Sequence, residues 1–352
     1  MRFPTEGASA NRRPRSGSLV TTLMAALCVA SPAFAQAPEC SWGNGVALPG
    51  GDTRDVLVTS DGAAGLLAIT WQVNTGAVYT STIRLHHVLE QGQLDPALPA
   101  DGVVIMSPAM LPEHPEYVGV RVVPDGAGGA YLLFRACIST LAHLRCWEAS
   151  EMRLKHVTGD GTTVPGWPEA GRALSALGNP DPLQRVDIVP DGVGGVIAAW
   201  VDTANYASGT PPVRVQRFAA DGTALWPGGF DGMDVLAPPD RGTLRLAGDG
   251  AGGCVVVTSQ LASGSPTRFE LKAGHVENDG SLPWSSAGRS VMAQPTASSN
   301  VHAVVMDSQG RAFVTALNTP TGPGTPHFWS QLLDPSGAPL WSPSAVLLPR
   351  HS

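Results

Sequence analysis

The 352-residue chain carries 22 Lys and Arg against 29 Asp and Glu, for a net charge of −7, and contains 41 Gly and 31 Pro. The acidic balance speaks against nucleic acid or an anionic membrane surface as a partner. The Gly and Pro frequency speaks against a helical protein, and the regular apolar segments described below speak against disorder.

The N-terminus reads as an export signal. Arg12, Arg13 and Arg15 precede an apolar run from Leu19 to Ala30, which ends in Ala33-Phe34-Ala35. A basic stretch, a short apolar run and small residues before a cleavage point define a secretory signal peptide, here residues 1–35 with cleavage before Gln36. The run is too short to span a bilayer comfortably. Initiation at Met24 is an alternative start. Arg12-Arg13 is followed by Pro14-Arg15-Ser16, not by the apolar pair of a twin-arginine signal. Leu27 before Cys28 is too bulky for a lipobox. Removal of residues 1–35 takes away four Arg and one Glu, so the net charge becomes −10. No later segment is long and apolar enough for a membrane helix. The expected location is periplasmic or extracellular.

Residues 36–352 are expected to form one domain built on an internal repeat. Asp-Gly opens an apolar run in SDGAAGLLAITW (60–71), PDGAGGAYLLF (124–134), PDGVGGVIAAW (190–200) and GDGAGGCVVVT (248–258), with a degraded copy in DSQGRAFVTA (307–316). The Asp residues, 61, 125, 191, 249 and 307, are 64, 66, 58 and 58 apart. A second motif lies between them. It is clearest as RFAADGTALWPGG (217–229), and recurs as VTGDGTTVPGW (157–167), VENDGSLPW (276–284) and LDPSGAPLW (333–341); LEQGQLDP (89–96) is its weakest copy. The repeats run roughly over 49–105, 106–174, 175–236, 237–292 and 293–348.

Each repeat reads as four short strands. In the third they fall at about Val186–Val189, Val196–Trp200, Val213–Phe218 and Met233–Leu236. Short strands at even spacing with Gly turns indicate a sandwich, a barrel or a propeller. A four-stranded sheet of about 60 residues cannot bury both faces alone, so its neighbours must cover them. The expected fold is therefore all-β, a five-bladed β-propeller of four-stranded antiparallel blades. Asp-Gly suits tight turns, because Gly takes positive φ and Asp bonds its own backbone. No run supplies the alternating acids of a calcium loop. Trp167, Trp226, Trp284 and Trp341 are expected to pack between repeats, in preference to forming exposed sugar platforms.

CSWGNGVAL (40–48) resembles the end of a repeat, so this segment and Ala345–Leu348 compete for one outer strand position. The N-terminal segment is expected to lie against the last blade and close the ring. Four Cys remain after residue 35. Cys137 and Cys146 flank one loop between strands and are the expected disulfide, worth on the order of 2–3 kcal/mol in the chain-entropy model. Cys40 with Cys254 is the weaker option, against which Cys254 in CVVV reads as a buried thiol. No Cys spacing resembles a zinc site.

The combination of DGxGG, an apolar strand ending in Trp, and VQRFAADGTALWPGG is similar to repeats of uncharacterised secreted bacterial proteins of propeller type. The resemblance covers residues 40–348 and implies a repeat fold and export, without an activity. The DG…LW turn also has a likeness to the Asp-box of sialidases, but lacks its Ser and spacing, so no sialidase chemistry is carried over.

In an antiparallel blade, alternate connections lie on opposite edges. Both Asp-Gly turns then share one edge, and the longer, divergent connections share the other. That long-loop face is the candidate binding surface. It carries Glu113, His114, Glu116, Trp147, Glu148, Asp181, Asp202, Tyr206, Asp240, Arg241 and His327. Glu113-His114-Pro115-Glu116 contains metal-ligand types, but a solvated loop is the preferred reading and no metal is expected. His86 and His87 fall on a strand, so their side chains point to opposite faces. Four residues before each Asp-Gly stand Leu57, Arg121, Asp187, Arg245 and Ala303. Arg121, Asp187 and Arg245 are expected to line a central channel, most simply as ion pairs.

No GxSxG, HExxH or P-loop occurs. A glycosidase needs two facing carboxylates, and only Asp187 stands at a channel position. The expectation is a non-enzymatic scaffold without a cofactor, binding a protein or a glycan. A propeller polysaccharide hydrolase and a purely structural surface protein are the alternatives.

Overall fold

The computed structural model describes residues 22–23, 46–48, 53–75, 79–112, 116–137, 150–177, 186–201, 212–236, 243–261, 269–292, 297–320, 325–341 and 346–347. Two short strands, β1 (Thr22–Leu23) and β2 (Val46–Ala47), pair antiparallel with each other.

Five four-stranded sheets follow, one per repeat. The first holds β3 (Thr53–Ser60), β4 (Leu66–Thr75), β5 (Tyr79–Val88) and β6 (Val103–Met106). The second holds β7 (Glu116–Pro124), β8 (Ala130–Cys137), β9 (Ser150–Val157) and β10 (Arg172–Leu177). The third holds β11 (Val186–Pro190), β12 (Val196–Val201), β13 (Val213–Phe218) and β14 (Met233–Leu236). The fourth holds β15 (Leu244–Gly248), β16 (Cys254–Leu261), β17 (Phe269–Val276) and β18 (Arg289–Met292). The fifth holds β19 (Ala297–Met306), β20 (Ala312–Pro320), β21 (His327–Leu333) and β22 (Val346–Leu347). Every sheet is antiparallel and keeps sequence order, as consecutive hairpins require. The only helical element among the described residues is a 3-10 turn at Gly229–Asp231.

The second strands explain why the repeats cannot stand alone. In β8 and β12 every residue is buried, so both faces of the strand are covered. The covering comes from neighbouring sheets in chain order. Leu67 and Ile69 of the first sheet share a cluster with Leu132 and Phe134 of the second. Tyr131 and Leu133 face Ala198 and Trp200 of the third. Ile197 and Ala199 meet Val256 of the fourth, and Val255 and Val257 meet Val314 of the fifth. The first strands of successive sheets also lie side by side: β3 against β7, β7 against β11, β11 against β15, and β15 against β19. This is a propeller-like all-β fold of radially stacked sheets.

Of the two candidates for the outer strand, the C-terminal one is seated. The outer position of the fifth sheet is taken by β22, which pairs with Trp329 and Ser330 of β21. The N-terminal segment packs instead on the first sheet, where Val46 and Leu48 cover Leu66, Ala68 and Val88. Its strand bonds go to Thr22 and Leu23, within the stretch read as a signal peptide. The apolar face presented by Leu66 and Ala68 therefore decides where this segment lies.

Candidate functional site

Two edges of the stack have to be compared. The turn edge is fully described, and its chemistry repeats. In each sheet the Asp that opens the turn between the first two strands turns one carboxylate oxygen back onto its own loop. Asp125 Oδ1 accepts from the amides of Ala127 (2.7 Å) and Gly129 (2.8 Å). Asp191 does the same with Val193 (2.8 Å) and Gly195 (2.7 Å), and Asp249 with Ala251 (2.7 Å) and Gly253 (2.9 Å). Asp61 and Asp307 repeat the pattern. The last glycine of the motif is needed for room. A Cβ at Gly195 would stand 2.4 Å from the Phe218 carbonyl and 2.5 Å from the Asp191 carboxylate.

The second carboxylate oxygen reaches the third strand. Asp61 Oδ2 meets His87 Nε2 at 3.1 Å, Asp125 meets His156 Nε2 at 2.9 Å, and Asp191 accepts from Arg217 Nε at 2.8 Å. His87, His156 and Arg217 occupy one register position, opposite Leu67, Tyr131 and Ile197 of the second strands. His275 holds that position in the fourth sheet, opposite Val255. In the fifth it is Leu332, and the cation comes from Arg311 within the turn, whose Nε donates to Asp307 at 2.7 Å. Burial alone would raise the Asp61 and Asp125 acids. The histidines and the turn amides outweigh it and hold both below their ordinary value.

Sequence reading assigned these Asp residues to turn chemistry and missed the partner. The signal was present: His87, Arg217 and His275 each lie 26 residues after their Asp, and His156 lies 31 after its own.

A second set of contacts joins each repeat to the next. Trp167 Nε1 donates to the Ala220 carbonyl (2.8 Å), Trp226 to Asn278 (2.9 Å) and Trp284 to Pro335 (3.1 Å). These three indoles are 3–6% exposed. They therefore pack between repeats and offer no sugar platform. Trp341 is only half-buried and packs edge-on against Phe313.

On the first strands, Arg121 and Asp187 form an ion pair at 2.7 Å across the second and third sheets. Asp187 also accepts from the Leu246 amide of the fourth sheet (3.0 Å) and from its neighbour Ile188 (2.9 Å). Arg245 turns the other way, donating to the His302 carbonyl of the fifth sheet at 3.1 Å. Asp187 is 1% exposed. Burial pushes its acid up against the pull of Arg121, the Leu246 amide and Arg245. One carboxylate thus ties three sheets together.

The long-loop edge lies largely outside the described residues. Glu113, His114, Trp147, Glu148, Asp181, Asp202, Tyr206, Asp240 and Arg241 all fall there. Glu116 opens β7, where only its backbone is described. His327 opens β21, half-exposed, with Thr325 Oγ1 3.3 Å from its Nε2. His86 and His87 part as their strand requires. His86 meets Thr70 at 3.2 Å, and His87 lies between Asp61 and Asp95. Among the described residues no group of three or more His, Cys, Asp or Glu could hold a metal ion. No described helix is long and apolar enough to cross a membrane. Cys137 ends β8 and is buried, while Cys146 and Cys40 lie outside the described residues. Cys254 is a free buried thiol, which removes the Cys40–Cys254 option.

No family model matches the chain, and no curated protein does. Solved structures that resemble it include a puromycin hydrolase, at 17% identity and a TM-score of 0.42. That match covers 82% of this chain and 36% of the hydrolase, so the chain spans about a third of it. An exo-1,5-alpha-L-arabinanase from a bovine ruminal metagenomic library matches at 10% identity and a TM-score of 0.36, over 85% of this chain and 97% of the other. A protein of unknown function from Dyadobacter fermentans matches at 9% and 0.42, over 85% and 83%. Values this low do not specify an activity.

Proposed function

We propose that the chain is an exported, five-bladed β-propeller scaffold that binds a protein or glycan ligand through its long-loop face. The observation that carries this reading is the asymmetry of the two edges. On the turn edge, every repeated carboxylate accepts turn amides; in the first three repeats it also meets His or Arg of the third strand, and in the fifth Arg311 of its own turn. Groups engaged in this way hold the sheets and are not free to meet a ligand. The connections on the opposite edge differ from repeat to repeat in length and sequence, as expected where a rigid scaffold carries recognition. The disulfide between Cys137 and Cys146 belongs to this reading, since it would restrain one of those loops.

The alternative is a polysaccharide hydrolase. Asp187 does not serve it, because a carboxylate 1% exposed and bonded to Arg121 and two amides cannot reach a glycosidic oxygen. A catalytic pair would have to come from the loop acids, such as Glu113, Glu116, Glu148, Asp181, Asp202 or Asp240. The resemblance to an arabinanase names a substrate to try. The test is to incubate purified residues 36–352 with a glycan array and, separately, with arabinan. Retention on specific glycans without release of sugars supports the binding reading. Steady release of sugar, abolished by replacing two of those loop acids, would replace it with the hydrolase.

A further inference from the structure

We propose that His156 is a proton-dependent clasp between the second and third repeats, closed only while its ring carries a proton on both nitrogens. Its Nε2 lies 2.9 Å from the Asp125 carboxylate of its own repeat. Its Nδ1 lies 3.0 Å from the Ala220 carbonyl of the next repeat. Both partners are acceptors. A neutral imidazole has one N–H, so it satisfies one of them and turns a lone pair toward the other; only the imidazolium donates to both.

The next repeat shows what the position is built for. Arg217 stands at the same register position, and its charge is permanent. Its Nε donates to Asp191, the counterpart of Asp125. Its Nη1 donates to Asn278 in the following repeat, through both side chain and carbonyl. Asn278 is the counterpart of Ala220: each follows the residue whose carbonyl closes its turn, Glu277 and Ala219. The two sockets therefore share an acceptor from the Asp-Gly turn and an acceptor from the next repeat. One holds a fixed cation and the other a titratable one.

Water cannot substitute inside the joint, since His156 is 3% exposed and its ring stacks on Tyr131 at 4.0 Å. Asp125 is bonded to its Nε2, Asp191 and Asp221 of the third repeat act on the Tyr131 ring that it stacks on, and Asp191 is itself paired with Arg217 at 2.8 Å; Asp160 lies in the turn after β9, where Thr158 donates to it. Arg172 lies 5.7 Å from the Trp167 ring that packs edge-on against His156. Trp167 Nε1 also donates to the Ala220 carbonyl, so loss of the proton weakens the joint without removing every bond across it.

The sign follows from the partners. A histidine held as a cation in the folded protein contributes stability that is complete at acidic pH and is lost as the ring deprotonates. The test is urea unfolding of the purified protein and of His156→Arg at about pH 6 and about pH 8.5, on either side of the ordinary imidazole range. The wild-type midpoint falls between the two, and the fall is smaller in His156→Arg. An equal fall in both proteins overturns the proposal. Should His156→Arg fail to fold, nitrogen NMR of the wild-type ring decides. Two protonated ring nitrogens at neutral pH support the clasp, and a single protonated nitrogen refutes it.

Discussion

Asp61, Asp125, Asp191, Asp249 and Asp307 divide their two oxygens between two tasks, closing a turn and, in most repeats, anchoring the third strand. The first task was legible in the sequence, because Asp before Gly bonds its own backbone in a tight turn. The second left only the recurrent 26-residue spacing as a trace, because the partner lies on another strand and changes between His and Arg, and Arg311 replaces it from inside the turn in the fifth repeat. A pH dependence follows. Burial works to raise Asp61 and Asp125, but His87, His156 and the turn amides leave both below their ordinary value. Asp307, held by Arg311, is lowered too. Lowered acids contribute stability that is present above the unfolded-state value and is lost as pH falls through the folded one. Thermal unfolding should therefore show the melting temperature dropping below about pH 4. A flat melting temperature from about pH 5 down to about pH 2 would contradict these assignments.

Strands were the most legible elements. The third repeat was expected at Val186–Val189, Val196–Trp200, Val213–Phe218 and Met233–Leu236, and the observed strands extend the first two of these by one residue each. The apolar runs are bounded by Gly turns, and such boundaries leave little freedom. The N-terminal segment was expected at the last blade because CSWGNGVAL matches the end of a repeat, and Val46 and Leu48 are held by the apolar face of the first sheet. The recurring Trp residues were correctly expected between repeats for Trp167, Trp226 and Trp284, but the sequence carries no sign of their indole acceptors. Those bonds give an element-scale prediction. Trp226→Phe keeps most of the ring packing and removes the donor to Asn278, which should cost about 1 kcal/mol. Trp341 makes no such bond among the described residues, so Trp341→Phe should cost less. Chemical denaturation of the two variants tests the difference, and equal losses would mean that the indole bonds do not join the repeats.

At the scale of the whole molecule, four of the five repeats bury both faces of their second strand and the fifth does not. In β20, Ala312, Val314 and Ala316 pack on the fourth sheet, whereas Phe313, Thr315 and Leu317 on the other face are half-buried. Val305 and Phe328, their cross-strand neighbours, are 56% and 40% exposed. Apolar side chains exposed side by side on a sheet face call for a cover. In a ring of five blades that cover is the first sheet. Closure was an expectation of the repeat count, and no local motif encodes it. The loop face was legible only as a place, since its ligand chemistry depends on side chains that no repeat shares.

A crystal structure of residues 36–352 decides whether the five sheets close into a ring. A closed ring is expected, with Val305 and Phe328 seated against the Val46-covered face of the first sheet and Trp341 Nε1 donating to the Glu90 carbonyl, the counterpart of Ala220 in the first repeat. An open arc, with that face of the fifth sheet in solvent or covered by a second molecule, would contradict it.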